Sequence, residues 1–92
     1  MMIIKIAQGK SMIKTLVPGV YTQINTNESE YLIQNQSEYN CNIIVVASQP
    51  ASTTPPDFIL ESKHGISSNH IEGTCWGKPE GKYGVVVGIV EG

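Results

Sequence analysis

The chain reads as an all-β protein, a single small β-sandwich of jelly-roll or immunoglobulin-like type, with a small β-barrel as the alternative. Three observations predict it. Isoleucine and valine dominate the apolar residues, and Leu16, Leu32 and Leu60 are the only leucines; side chains branched at Cβ suit strands better than helices. No window carries an i, i+3, i+4, i+7 apolar stripe that starts at a cap and ends in glycine. Instead, short apolar or alternating runs recur with turn signals about every 8–12 residues and one long proline-rich connection, the pattern of a sandwich.

Taken in order, "MIIKIA" (2–7) and "MIKTLV" (12–17) are the first two candidate strands, separated by the turn Gln8-Gly9-Lys10-Ser11. "VYTQI" (20–24) follows Pro18-Gly19 and sets Val20, Thr22 and Ile24 against Tyr21 and Gln23, a half-buried alternation. "EYLIQN" (30–35) and "CNIIVVAS" (41–48) lie on either side of the turn "QSEYN" and are expected to pair as a hairpin. The run Ile43-Ile44-Val45-Val46 is apolar on both faces, so it belongs in a central strand or in one whose outer side a neighbouring subunit covers.

"QPASTTPPD" (49–57) cannot enter a sheet interior and reads as a crossover between sheets. "FILES" (58–62) is a short strand, "KHGISS" (63–68) a turn, and "HIEGTCW" (70–76) a strand. "GKPEGK" (77–82) then reads as the loop of a last hairpin whose second strand is "YGVVVGIV" (83–90).

Ninety-two residues make one domain, and a chain of this size buries only about 60–65 % of the surface its unfolded form exposes. Small domains are usually supplemented by disulfides, a metal or a partner subunit. Charge is sparse: six lysines, eight acids and no arginine give a net charge of −2. That argues against nucleic acid, which calls for a basic patch rich in guanidinium forks. It also gives no basic amphipathic face for a membrane surface, and no apolar run reaches the roughly 20 residues that span one. Lys5 interrupts the apolar start, so a signal peptide is not expected and the protein reads as cytosolic in origin.

Cys41 and Cys75 are too few for a disulfide framework and are expected to be small buried apolar residues, with a mutual disulfide as the alternative. The glycine-lysine stretch fails the phosphate-loop pattern. Only Lys78, Pro79 and Glu80 separate Gly77 from Gly81, and Tyr83 follows Lys82 where a serine or threonine is required. His64, His70 and Cys75, with Glu72 nearby, have spacings unlike structural zinc sites, whose ligands pair two to four residues apart. Asp57, Glu61 and Glu72 occur singly. No catalytic residue, metal ligand or cofactor-binding residue is therefore assigned. Trp76 with Tyr21, Tyr31, Tyr39 and Tyr83 among many asparagines leaves carbohydrate as a ligand class, although such aromatics also plug the ends of small sandwiches.

The stretches "YLIQNQSEYNCNIIVVASQP" and "IEGTCWGKPEGKYGVVVGIVEG" carry a resemblance. Residues 19–92 resemble the small β-sandwich virion proteins of tailed bacteriophages, the decoration or cement proteins that clamp capsid subunits. The resemblance implies a non-enzymatic structural role: binding to the major capsid protein or another virion protein, location in the virion, and assembly in the host cytoplasm. A glycan-binding or host-attachment module of a head or tail fibre is the alternative.

Residues 1–18 lie outside the resemblance and read as an N-terminal strand or arm that reaches a neighbouring subunit, with 19–92 as the sandwich domain. The apolar ends of the chain favour a homo-oligomer, a dimer or a trimer. Met2, Ile3, Ile4, Ile6, Trp76 and Tyr83 are the candidate interface residues.

Overall fold

The computed structural model describes residues 10–92, and none of these residues is helical. Their strands are β1 (Lys10–Leu16), β2 (Thr22–Gln23), β3 (Tyr31–Asn35), β4 (Cys41–Val45), β5 (Phe58–Leu60), β6 (Gly65–Ser67), β7 (Cys75–Pro79) and β8 (Val85–Glu91). They form two four-stranded sheets. Sheet A has the order β1-β8-β3-β6 and sheet B the order β2-β7-β4-β5, with every pairing antiparallel.

This order is that of a jelly roll: β1 pairs with β8, β2 with β7, β3 with β6 and β4 with β5, like one long hairpin rolled up on itself. The jelly-roll alternative among the expected architectures is the one the chain adopts. The expected strand at 2–7, with Met2, Ile3, Ile4 and Ile6, lies outside the described residues. The remainder of the expected arm includes β1, which forms an edge of sheet A and pairs along its whole length with β8, from Lys10 opposite Glu91 to Leu16 opposite Val85.

Alternation along the strands builds the core. Leu16 from β1, Tyr31 and Ile33 from β3, and Val85, Val87 and Ile89 from β8 face inward from sheet A. Cys41 and Ile43 from β4, Leu60 from β5 and Cys75 from β7 meet them from sheet B, and Ile24 joins them just past β2. Gly77 takes the inward position on β7 between Cys75 and Pro79. A Cβ there would come within 2.7 Å of Leu16 Cδ1 and 2.8 Å of Ile24 Cδ1, so the glycine makes room for a side chain from the opposite sheet and one from beside β2.

Several local expectations are corrected. Residues 30–35 and 41–48 do not form a hairpin: β3 lies in sheet A and β4 in sheet B, and the segment 36–40 arches between the sheets. Buried Asn35 holds that arch. Its Nδ2 donates to the carbonyls of Tyr39 and Leu60, and its Oδ1 accepts from the backbone N–H and the hydroxyl of Ser37. β3 instead pairs with β8, where its alternation matches another strand with one buried face.

The proline-rich stretch is no crossover, since it joins β4 to β5, which are neighbours in sheet B. The expected turn 63–68 contains β6, whose Ile66 pairs with Ile33 and packs on the core. Residues 70–74 are not strand. His70 and Ile71 donate backbone N–H groups to Ser67 O, and Gly73 has φ +135°, a conformation that favours glycine. The strand begins at Cys75 and continues through Gly77, Lys78 and Pro79. The last hairpin is also lost, because β7 belongs to sheet B and β8 to sheet A, leaving 80–84 as another arch.

Apolar residues on both faces of 43–46 do mark an inner strand, as β4 lies between β7 and β5. The outer side of β4 is covered by the chain's own residues 46–57, with no need of a neighbour. This segment folds back over sheet B as a roof. Trp76 Nε1 donates to Val46 O, Gln49 Nε2 to Tyr21 O, Tyr21 Oη to Thr54 O and Lys78 Nζ to Ser52 O. Beneath it Tyr21 is fully buried and Ile44 nearly so.

Candidate functional site

The fold keeps the candidate reaction-centre residues apart. His64 lies in the turn before β6, whereas His70 lies after β6 at the opposite end, its Nδ1 3.2 Å from Ser67 Oγ. Cys75 is buried in the core. Among the described residues, no three or more His, Cys, Asp and Glu side chains converge as metal ligands. Asp57 accepts from Val45 N–H at 2.9 Å and so fixes the entry to β5.

The cysteines are free. Register separates them along the β4–β7 pair, with Cys41 opposite Pro79 and Cys75 opposite Val45. Burial pushes the Cys41 thiol up to about 12, against a weaker lowering by its backbone hydrogen bond. Burial likewise raises Cys75, despite its contact with the Tyr31 hydroxyl. Both are therefore protonated near neutrality and lack the thiolate that a nucleophile or ligand needs.

Polar groups buried at the opposite end from 36–40 act in the fold. Asn25, fully buried, donates from Nδ2 to Gly73 O and accepts Cys75 N–H at 2.7 Å. Glu91, also buried, accepts the backbone N–H groups of Thr26 and Asn27 and the Thr26 hydroxyl, each at 2.9 Å. Lys14 points inward from edge strand β1 and donates to the carbonyls of Gln23 and Ile24, closing one side of the sandwich. An open polar depression at Thr26–Ser29, Glu72, Gly73 and Gly92 lies beside them. Two of its side chains are already engaged: Asn27 Oδ1 accepts from its own turn and Glu28 Oε1 accepts the Thr74 hydroxyl.

Two surfaces remain. The first is the outer face of sheet A. Strand alternation directs Ser11, Ile13 and Thr15 of β1, Leu32 and Gln34 of β3, and Val86, Gly88 and Val90 of β8 outward. None of these carries a charge. Ile13 is 68 % exposed and Leu32 39 %, and the side-chain amide of Gln36 lies over Gly88. A shallow, mainly apolar groove follows this face between β1 and β3. Sheet B has a roof of its own chain; among the described residues, sheet A has none.

The second surface lies at the end of the sandwich where β1, β3, β5 and β7 finish and their successors begin. There the rings of Tyr39 and Tyr83 stack with centroids 4.9 Å apart and planes at 23°. Tyr39 comes from the arch 36–40 and Tyr83 from the arch 80–84, and Glu80 N–H donates to Asn40 O to tie the arches together.

Of the candidate interface residues, Tyr83 is exposed here, and Trp76 is half-buried on the outer face of sheet B under the roof. The partnership of Tyr39 with Tyr83 has no local signal in the sequence, because it is two cross-sheet arches that bring them together. No family model matches the chain, and no curated relative or solved structure matches it either.

Proposed function

We propose that this chain is a non-enzymatic virion structural protein of the capsid decoration or cement type, which binds an assembled phage shell as a homo-oligomer and stabilises it. The observation that carries the reading is the uncharged, partly apolar outer face of sheet A on a jelly-roll sandwich. An antiparallel sheet facing only water ordinarily alternates apolar-in with polar-out, and a contiguous apolar patch on a small soluble domain marks a contact surface. The jelly roll itself is used by viral capsid domains and by lectins, so it agrees with the reading without selecting it.

Shell binding is tested by sedimenting the purified protein with shells of the virus that encodes it and comparing the shells' melting temperature with and without it. Co-sedimentation with a raised shell melting temperature is expected. A protein that stays in the supernatant and leaves the shells unchanged would refute the proposal.

A second reading, a glycan-binding or host-attachment module of a head or tail fibre, is favoured by one observation, the exposed Tyr39–Tyr83 pair.

A further inference from the structure

We infer that the Tyr39–Tyr83 pair is a carbohydrate-binding site for neutral pyranosides. The inference rests on the second reading and deepens it by naming the residues and the ligand class.

The two residues keep 46 % and 52 % of their surface in water, although they are among the largest apolar groups of the chain. They are nevertheless held in place. Asn35, anchored in the core, donates to Tyr39 O at 2.7 Å, and the Ser37 hydroxyl, itself bonded to Asn35 Oδ1, accepts Tyr39 N–H. The stacked rings and the bond from Glu80 N–H to Asn40 O join this arch to the one bearing Tyr83. A rigid aromatic surface loses little conformational freedom when a ligand covers it.

The surroundings suit sugars better than purely apolar ligands. Among the described residues neither tyrosine hydroxyl has a hydrogen-bond partner, so both are free to bond sugar hydroxyls. Glu38 precedes Tyr39, Glu80 lies in the same arch as Tyr83, and Lys82 Nζ stands over the Tyr83 ring, 5.5 Å from its centroid. A pyranose presents an apolar C–H face with hydroxyls around its rim, which matches exposed aromatic rings that carry free hydroxyls in arches with charged side chains. Lys63 pairs with Glu38 at 3.5 Å, so both charge signs are present and no net cationic field selects an anionic sugar. Trp76 does not take part, because its N–H is bonded to Val46 under the roof.

The test is two-dimensional amide NMR of the unmodified protein titrated with methyl β-galactopyranoside, methyl β-glucopyranoside, methyl α-mannopyranoside and N-acetylglucosamine, with saturation-transfer spectra recorded alongside. Shifts confined to residues 37–40 and 80–84 are expected with at least one sugar. Saturation transfer should fall at least several-fold in Tyr83→Ala, with the remaining amide spectrum preserved. Tyr39→Phe, which keeps the stack, should lose less than Tyr39→Ala. No response to any of the four sugars, or one mapping elsewhere, overturns the inference, as would a response indifferent to Tyr83. In that event a role for the pair as a protein contact in the assembled particle would be seen as protection of both rings on shell binding. Failure to bind shells leaves the sugar titration unaffected, so the two proposals fall separately.

Discussion

The indole N–H of Trp76 donates to the carbonyl of Val46 at 2.9 Å, fastening the segment 46–57 over the outer face of sheet B. Trp76 is also the β7 neighbour of Ile44, whose buried side chain lies on that same face. The tryptophan therefore acts as a clasp between sheet and roof, and the substitutions that test this differ in what they remove.

Trp76→Phe keeps an aromatic ring but deletes the hydrogen bond, and should destabilise by about 1 kcal/mol. Trp76→Ala removes the ring as well, and for a half-buried site should cost about 2–3 kcal/mol, somewhat below the values for fully buried aromatics. Urea unfolding followed by circular dichroism measures both. Equal losses in the two variants would mean that the ring's packing contributes nothing.

Acid should loosen the end of the sandwich held by Glu91. Burial alone would raise this carboxyl, but the backbone N–H groups of Asn27 and Thr26, the Thr26 hydroxyl and the charge of Lys14 outweigh it and hold the group below its ordinary 4.5. A carboxyl lowered in the folded state contributes stability that is fully present above its unfolded value and is lost as pH falls through the folded one. Unfolding free energy should therefore decline below about pH 5 with a slope that Glu91→Gln reduces. An unchanged slope in that variant would assign the acid sensitivity to other groups.

The elements with strong local signals were legible in the sequence, and the partners they chose were not. Val85, Val87 and Ile89 alternate with Val86, Gly88 and Val90, so a strand with one buried face follows directly from the residues. The pairing of that strand with β1 and β3 depends on contacts spanning most of the chain, which no local pattern encodes. Loops tell the same story. "QSEYN" has the composition of a hairpin turn, but Asn35 bonds to both Tyr39 and Leu60 and steers it across to the other sheet. β6 is not legible because Gly65-Ile66-Ser67 has a single apolar residue, and only its pairing with β3 makes it a strand. The candidate tyrosine site shares this limit, since the sequence marks Tyr83 as a contact residue but its stacking partner depends on the two arches.

Gly77 should resist replacement despite standing in a strand. Its neighbours at 2.7, 2.8 and 3.2 Å from an added Cβ are Leu16, Ile24 and Cys41, all in the closed core. Gly77→Ala is therefore overpacked and expected to destabilise by about 1–3 kcal/mol. Gly77→Val, with two further methyls, should prevent folding at ordinary temperature. Thermal unfolding of the alanine variant checks this, and a rise in melting temperature would show that the site can expand.

Cys41 and Cys75 should be silent in the folded protein. Their thiols are buried, Cys41 is pushed up to about 12, and their places along β4 and β7 keep them from pairing. At pH 8, iodoacetamide should modify neither in native buffer and both in 6 M guanidinium, as read by intact mass, and mild oxidation of the native chain should leave both thiols titratable. Fast native labelling of either would require an opening that exposes the core.

The face of sheet A offers the sharpest separation between a solvent surface and a contact. Ile13 is more than two-thirds exposed, so Ile13→Lys removes no internal packing and should change monomer stability by no more than about 0.5 kcal/mol. If copies of the chain meet through this face, the same lysine places an unpaired charge in an otherwise uncharged contact, an arrangement that disfavours association. Analytical ultracentrifugation across a concentration series should then show the unmodified chain associating and the Ile13→Lys chain remaining monomeric. Leu32→Lys, across β8 on the same face, should have the same effect, while Tyr83→Ala at the loop end should not. Equal association of all four proteins would place the contact elsewhere and remove sheet A from the assembly.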